Sequence, residues 1–206
     1  MKNILIFDWS GVISDDRQPV YEANMLLLEK YGKKRVSFED WLINTRQSVV
    51  ELLGSYGVKT KPEKALSEYK ETFDRVRKSD IHPTIYPDAR KVIRKLSHNG
   101  SKLFVISVHP AQNLEEEAKE YEVYHFFDEF IGSVRDKVTG IQNVLENFKA
   151  NSDTYYIGDT IYDIQVARQA GIKSVAVTNG YHVKERLKKE NPDIIVESLT
   201  ELLKYF

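Results

Sequence analysis

The chain has 206 residues, of which 41% are hydrophobic and 30% are charged, and its formal net charge is -1. These values are typical of a globular protein with one sizeable domain, or a core domain with a smaller insertion, and they give no reason to expect binding to nucleic acid or to an anionic membrane. The chain contains no cysteine, which excludes disulfides, thiolate metal ligands and cysteine nucleophiles.

The beginning of the chain predicts a buried β-strand that ends at an acidic residue. Residues 4–7 are all apolar, and Asp8 follows them directly. A carboxylate at the carboxyl end of a parallel strand lies where open α/β sheets bind ligands, so Asp8 is a candidate functional residue. The same acid interrupts the apolar run too early for a signal peptide, and no later run is long enough for a membrane span. We therefore expect a cytoplasmic protein with no membrane partner.

A polar turn leads from this strand into a block with a helical pattern. Gly32 ends a first run of apolar residues at helical spacing, Ser37 suits a helix start, and Pro62 suits the first position of a further helix. The three helices predicted from these signals cover about residues 20–31, 37–54 and 62–76. Pro83 and Pro87 mark the return from this block to the rest of the chain.

From residue 84 onward, strands and helices alternate. Helices are predicted at 88–97, 114–121, 139–148, 161–170, 183–189 and 199–205, and strands at 103–106, 126–131, 154–157, 174–177 and 194–196. Such alternation predicts an α/β fold, in which a parallel sheet with right-handed crossovers carries helices on both faces. The helical block is then an insertion between the first strand and its partner helix.

Further polar residues stand at the predicted strand ends. Ser107 follows the second strand of the sheet, Lys137 follows the third, and Asp159 follows the fourth. Asp163 is four residues after Asp159, so both carboxylates face the same side of the next helix. Two acids that converge with Asp8 at one sheet edge would repel one another unless a cation lay between them, and such oxygen ligands suit Mg²⁺.

The order of these residues resembles the haloacid dehalogenase-like (HAD) hydrolase superfamily, and most of all its phosphoglycolate-phosphatase-like branch. The resemblance depends on the motifs Phe7-Asp8-x-Ser10-Gly11-Val12, Ile106-Ser107, Lys137 and Gly158-Asp159-x-x-x-Asp163. It covers essentially the whole chain. It implies a HAD-like Rossmannoid core formed by residues 1–16 and 84–206, with an α-helical cap inserted at 17–83.

The resemblance also implies a role for each motif residue. Asp8 would be the nucleophile that forms an aspartyl-phosphate, while Ser107 and Lys137 would hold the phosphoryl oxygens of a small phosphorylated substrate. Mg²⁺ would be held by Asp8, the backbone carbonyl of Ser10, and Asp159, with Asp163 acting through water or by supporting Lys137. Ser10 and Gly11, in the loop after the nucleophile, would also contact the phosphate. A monomer and a homodimer are both compatible with this reading.

Ser10 departs from the pattern of the superfamily. Phosphatases of this kind normally have a second Asp at that position, which protonates the leaving group and then activates water. A Ser hydroxyl cannot do this near neutral pH, and loss of a general acid typically costs about 10²–10⁴-fold in rate. The enzyme is then slow, confined to substrates with good leaving groups, or supplied with a proton by His109 or Asp15.

Two other functions stay open at this stage. The chain could be a catalytically weak protein that binds phosphate and Mg²⁺. It could also be a phosphonate-cleaving relative, which would need a Schiff-base lysine in the cap, and Lys30, Lys33 and Lys34 are the candidates. A dehalogenase works without the metal, so the retention of both Asp159 and Asp163 argues against that activity.

Overall fold

The computed structural model describes residues 3–46, 48–148 and 153–206. The strands are β1 (Ile4–Phe7), β2 (Ser14–Asp15), β3 (Thr84–Ile85), β4 (Lys102–Ile106), β5 (Glu129–Ile131), β6 (Thr154–Gly158), β7 (Lys173–Val177) and β8 (Ile194–Val196). The α-helices are α1 (Arg17–Lys30), α2 (Phe38–Ile43), α3 (Val49–Ser55), α4 (Pro62–Val76), α5 (Ala89–His98), α6 (Ala111–Glu120), α7 (Lys137–Asn147), α8 (Ile161–Ala170) and α9 (Lys184–Lys188). Within the described residues, no helix combines the length and the hydrophobicity needed to cross a membrane.

The chain divides into two compact units, Met1–Asp15 with Thr84–Phe206, and Asp16–Pro83. The first unit is built around a six-stranded sheet in the order β5-β4-β1-β6-β7-β8. All neighbouring strands in it are parallel. Helices α5 and α6 pack on one face of the sheet, and α7 and α8 on the other. The predicted α/β fold with a parallel sheet is confirmed.

Strand β1 is central and buried on both faces. Leu5 and Phe7 pack with the side chains of α5 and α6, whereas Ile4 and Ile6 pack with those of α7 and α8. Burial of each such side chain stabilises the fold by about 1.5–3 kcal/mol, which explains why the strand is an uninterrupted apolar run. The residue that follows it, Asp8, is thus attached to the best-anchored strand of the sheet.

Three elements of this unit differ from the sequence prediction. The polar turn and the return linker form the antiparallel ribbon β2–β3, whose two-residue strands are too short to show an alternating pattern. The strand predicted at 126–131 begins at Glu129, because Tyr124–Phe126 form a 3₁₀ turn and Phe127 packs its ring edge against Phe7. The closing segment Leu199–Lys204 is a 3₁₀-helix rather than an α-helix.

The second unit consists of α1 to α4 and contains one helix more than the sequence predicted. The predicted second helix is divided into α2 and α3 after Ile43, where the Thr45 hydroxyl bonds to the carbonyls of Trp41 and Leu42. Ser48 then caps α3 by accepting the N–H of Glu51 at 3.2 Å. Pro62 occupies the first turn of α4, as expected from the absence of a proline N–H.

Candidate active site

Three adjacent strands bring their carboxyl ends, and the polar residues after them, to one edge of the sheet. Asp8 follows β1, Ser107 follows β4 and Asp159 follows β6, and β1 lies between the other two strands. The backbone N–H of Asp8 donates to the carbonyl of Ile157 at 2.8 Å, which continues the β1–β6 pairing to the nucleophile candidate. All three side chains are buried. The sheet therefore places these predicted site residues side by side.

Lys137 joins two of the predicted carboxylates. It is the first residue of α7, and its Nζ donates to Asp8 Oδ2 and to Asp163 Oδ1, at 2.8 Å in both cases. Burial alone would lower the pKa of this ammonium group, but the charges of Asp163 and Asp8 outweigh burial and raise the pKa well above its usual value. Lys137 is therefore a fixed positive charge next to Asp8.

Asp163 uses both carboxylate oxygens for bonds within the protein. Its Oδ1 accepts from Lys137, while its Oδ2 accepts the Thr160 N–H at 3.0 Å and the Thr160 hydroxyl at 2.5 Å. Thr160 and Asp163 thereby form a capping box at the start of α8. Gly158 makes room for this side chain, since a Cβ at position 158 would come within 2.2 Å of Asp163 Cβ. The same acid thus caps a helix and orients Lys137.

Asp159 lies in a narrow space between two glycines. Its Oδ2 accepts the backbone N–H of Tyr181 at 2.6 Å. A Cβ at Gly11 or at Gly180 would come within 2.3 or 2.2 Å of the same oxygen. Its Oδ1 is buried and has no hydrogen-bond partner among the described residues. Burial, together with the charges of Asp163 and Asp8, raises the pKa of this carboxyl well above its usual value.

The three acids fit a divalent cation. Asp8, Asp159 and Asp163 each offer a carboxylate oxygen, and these atoms lie within 4.8 Å of one another. Burial raises the pKa of Asp8 to about 6, an effect that Lys137 opposes and Asp163 reinforces. A buried carboxylate oxygen without a partner, beside two further acids, is an environment that a cation stabilises. Oxygen donors of this kind suit Mg²⁺.

The loop after Asp8 contains the two predicted residues whose roles are least defined by contacts. Gly11 adopts a left-handed conformation with φ of +75°, which a residue without a side chain adopts at little cost. Gly11 packs against Asp159, and the absence of a side chain at position 11 leaves room for the Asp159 carboxylate. Ser10 is half-buried and lies beside Ser14, with which it forms an isolated β-bridge. The predicted contacts of Ser10 and Gly11 with phosphate stay predictions.

Trp9 is a residue of the site that sequence reasoning missed. Its backbone N–H donates to Asp8 Oδ1 at 2.8 Å, and its indole N–H donates to Glu117 Oε2 at 2.8 Å. The indole also stacks on Tyr121, with ring centroids 5.8 Å apart. The contact between Trp9 and Glu117 joins residues 108 positions apart, and no local pattern in the sequence indicates it. The Trp9 backbone therefore holds one oxygen of the candidate nucleophile, while its indole packs with the side chains of α5 and α6.

The two predicted alternative proton donors lie in different surroundings. The backbone N–H of His109 donates to Ser107 Oγ at 3.2 Å, and the ring nitrogen Nε2 of His109 lies 3.2 Å from Glu117 Oε1. His109 is therefore next to the predicted phosphate-binding hydroxyl and beside a carboxylate that also holds Trp9. Asp15 belongs to the β2–β3 ribbon, where it is paired with Thr84.

Comparison with known proteins agrees with this arrangement. The sequence profile of the haloacid dehalogenase-like hydrolases matches residues 5–177. A relative in Caldanaerobacter subterraneus whose name describes it as a pyrophosphatase is 27% identical, over 97% of this chain and 92% of its own length. A phosphoglycolate phosphatase of Aliivibrio fischeri is 25% identical, over 97% of this chain and 94% of its own. A haloacid dehalogenase-like hydrolase from Streptococcus pneumoniae has the same fold, with a TM-score of 0.83, 21% identity, and coverage of 100% of this chain and 98% of that one.

Proposed function

Because this chain belongs to the haloacid dehalogenase-like hydrolase family, we propose that it is a Mg²⁺-dependent phosphatase that cleaves small phosphate monoesters through Asp8. As a member of that family, it is a hydrolase. One observation carries the proposal. Lys137 lies 2.8 Å from the carboxylates of both Asp8 and Asp163, beside the buried Asp159 oxygen that has no partner among the described residues.

In this proposal the chain's own residues orient the nucleophile and the phosphoryl group. Asp8 is held through one oxygen by the Trp9 N–H and through the other by Lys137. Because the pKa of Asp8 is about 6, its carboxyl group is mostly ionised at neutral pH and can act as a nucleophile. The Ser107 hydroxyl would donate a hydrogen bond to a phosphoryl oxygen, and Lys137 would balance the negative charge that accumulates on the phosphoryl group.

The proposed metal would be held by Asp8, Asp159 and the backbone carbonyl of Ser10, with Asp163 supporting Lys137. When bound, Mg²⁺ supplies the positive charge that lets an anionic nucleophile approach an anionic substrate and that stabilises the transition state. The unpartnered Oδ1 of Asp159 supports this assignment, because a buried carboxylate oxygen without any partner is costly.

The reaction would proceed in two displacements at phosphorus. In the first, an Asp8 oxygen forms a bond to phosphorus while the bond to the leaving oxygen breaks, and the leaving group departs with the electron pair. In the second, water attacks the phosphorus of the aspartyl-phosphate, which releases inorganic phosphate and restores the carboxylate. The leaving oxygen must gain a proton in the first step, and the attacking water must lose one in the second.

Ser10 limits which substrates this mechanism can serve. Its hydroxyl cannot exchange those protons near neutral pH, and loss of a general acid typically lowers the rate by about 10²–10⁴-fold. Leaving groups that are stable as anions, such as a phenolate or a phosphate, need the proton least. We therefore propose that the preferred substrates have good leaving groups, which is compatible with the pyrophosphatase name of one relative.

The alternatives have unequal support. A catalytically weak protein that binds phosphate and Mg²⁺ is the second candidate, and Ser10 is the observation in its favour. A phosphonate-cleaving enzyme would need a lysine that loses its proton readily. Lys30 forms a 2.9 Å ion pair with Glu68, and this hydrogen bond raises the pKa of Lys30, which is the opposite of what that chemistry requires. The helical block at 17–83 is proposed to act as the substrate-selecting cap.

The nucleophile is tested by the substitution Asp8→Asn. We expect it to abolish Mg²⁺-dependent release of phosphate from an aryl phosphate, acetyl phosphate and pyrophosphate, measured with purified full-length protein. Asp128→Asn is the control, because Asp128 is an exposed acid of the same unit that bonds to Lys102 and the Leu103 N–H. Undiminished activity in Asp8→Asn would show that the assigned nucleophile is wrong. If wild type binds phosphate but hydrolyses none of the three compounds, the binding-protein alternative holds.

The metal site is tested without turnover. Mg²⁺ that binds only the folded protein raises its melting temperature in a concentration-dependent manner. We expect this rise in wild type and in Asp128→Asn, and a loss of most of it in Asp159→Asn. An equal rise in all three proteins would place the ion elsewhere.

A further inference from the structure

Two tyrosine rings lie against the ammonium group of Lys137. Its Nζ is 5.5 Å from the ring centroid of Tyr156 and 5.7 Å from that of Tyr162. A cation within about 6 Å of an aromatic ring face is attracted by it, and the attraction is strongest where water is excluded. Lys137 and Tyr156 are both buried. Tyr162 is partly buried and packs against the hydrophobic cluster that contains Tyr156. The rings therefore contribute to the surroundings of the lysine in addition to its two carboxylate partners.

Tyr156 also reaches the strand that carries Ser107. It lies on β6, and its hydroxyl donates to the carbonyl of Ile106, the last residue of β4, at 3.2 Å. Strand β1 separates β4 from β6, so this side chain extends beneath the central strand from one neighbour to the other. A single residue thus contacts both groups proposed to hold phosphate: Lys137 through its ring and its hydroxyl, and the segment before Ser107 through the same hydroxyl.

We propose that Tyr156, assisted by Tyr162, is a positioning residue that keeps the Lys137 ammonium and the Ile106–Ser107 segment at a fixed distance and orientation relative to each other. The inference rests on the proposed function, because it assumes that these two groups act on a phosphoryl group. The carboxylate of Asp8 loses its charge when it becomes an acyl phosphate, whereas Asp163 stays an anionic hydrogen-bond partner of Lys137. The two rings do not change during the reaction, so they hold the ammonium in place through both displacements.

The two parts of Tyr156 can be separated by substitution. Tyr156→Phe keeps the ring and removes the contacts of the hydroxyl with Ile106 and Lys137. We therefore expect a rise of about 3- to 10-fold in KM and in the inhibition constant of inorganic phosphate, and a smaller fall in kcat than in Tyr156→Leu. Tyr156→Leu also removes the ring. For it we expect kcat to fall by about 30-fold, because the Lys137 ammonium is then no longer held where the phosphoryl group needs it.

Tyr155 provides a matched control on the same strand. Its ring lies 5.0 Å from the ammonium of Lys173, and its hydroxyl contacts the same lysine, but its side chain packs on the opposite face of the sheet. Tyr155→Leu therefore removes a similar contact away from the site. We expect it to leave kcat and KM unchanged, even if it lowers the melting temperature as much as Tyr156→Leu does.

A spectroscopic measurement tests the arrangement independently of activity. Ring currents from Tyr156 and Tyr162 should shift the Hε proton resonances of Lys137, because its ammonium group lies within 5.7 Å of both ring centroids. Lys137→Met assigns those resonances in the NMR spectrum of lysine-labelled protein. We expect most of the shift to persist in Tyr156→Phe and to diminish in Tyr156→Leu. Should Tyr156→Leu not fold, Tyr162→Leu removes the other ring at the start of α8, and we expect it to reduce both the shift and kcat.

The outcomes are distinguishable from a failure of the proposed function. If no compound is hydrolysed but the Hε shift and phosphate binding respond as stated, the positioning role stands and the phosphatase assignment falls. If Tyr156→Leu, or Tyr162→Leu in its place, leaves the Hε shift and kcat at wild-type values, the proposal is overturned. It is also overturned if Tyr155→Leu lowers kcat as strongly as Tyr156→Leu does.

Discussion

Replacement of Gly11 by alanine tests whether Asp159 depends on the space around it. Gly11 has a φ of +75°, and a Cβ there would lie 2.3 Å from Asp159 Oδ2 and 2.8 Å from Tyr181 Cδ2. Gly171, at the end of α8, has nearly the same φ of +73°, but a Cβ there would meet nothing within 4 Å. The two substitutions therefore share the same backbone strain and differ only in the steric clash.

The magnitudes follow from this comparison. A left-handed conformation costs a residue with a Cβ about 1–2 kcal/mol, which is the whole effect expected for Gly171→Ala. Overpacking adds about 1–3 kcal/mol for Gly11→Ala. The added methyl must also displace the Asp159 carboxylate by roughly 1 Å, and a misplacement of that size costs about 10²-fold in rate. Gly11→Ala should thus lose activity, while Gly171→Ala should lose only stability.

Urea unfolding and steady-state hydrolysis of an aryl phosphate measure the two effects. We expect Gly171→Ala to keep the kcat and the half-saturating Mg²⁺ concentration of wild type, and Gly11→Ala to lower kcat and to require more Mg²⁺. If Gly11→Ala matches Gly171→Ala in unfolding free energy, kcat and Mg²⁺ requirement, the reasoning that links Gly11 to Asp159 is refuted.

Two further predictions concern protons. If a missing general acid limits turnover, Ser10→Asp should raise kcat by about 10²-fold or more. If His109 supplies the proton in place of that acid, His109→Asn should lower kcat in the wild-type protein but leave kcat unchanged in the Ser10→Asp variant. An unchanged rate in Ser10→Asp would remove that explanation. Burial, with a contribution from Arg186, lowers the pKa of His182 to about 4 in the folded protein. The unfolded chain, in which the pKa of histidine is about 6.5, therefore takes up a proton first, and the folded state loses stability as the pH falls from about 6.5 to 4. Wild type should lose about 2–3 kcal/mol more than His182→Asn between about pH 7 and 4.5 in urea unfolding, and parallel losses would contradict the assignment.

The parts of the site that could be predicted from the sequence are those with a local signal. Asp8 and Asp159 each follow an apolar run closely, and the carboxyl ends of parallel strands meet at one edge of the sheet. That rule places them together without any knowledge of side-chain contacts. The spacing of Asp159 and Asp163 likewise predicts a helix N-terminus between them, and the capping box formed by Thr160 confirms it.

The parts that could not be predicted depend on pairs of residues far apart in the chain. Glu117 bonds to Trp9, and Tyr156 bonds to Ile106 across an intervening strand. Each of these residues alone is typical of its position, an acid on a helix or an aromatic in a strand, so no periodicity distinguishes it. The ribbon between β2 and β3 was missed for a similar reason, since its two-residue strands are too short for a periodic pattern and lie on either side of the inserted helices in the chain.

The environment of Trp9 allows binding at the candidate site to be followed by the protein's own tryptophan fluorescence. Only Trp9 and Trp41 contribute indole fluorescence, so Trp41→Phe leaves a single emitter, bonded through its main chain to Asp8. That indole is shielded from water and stacked on Tyr121, so its emission should be blue-shifted and sensitive to small displacements of the loop. Binding of Mg²⁺ or inorganic phosphate next to Asp8 could then be titrated by fluorescence, with no label and no turnover.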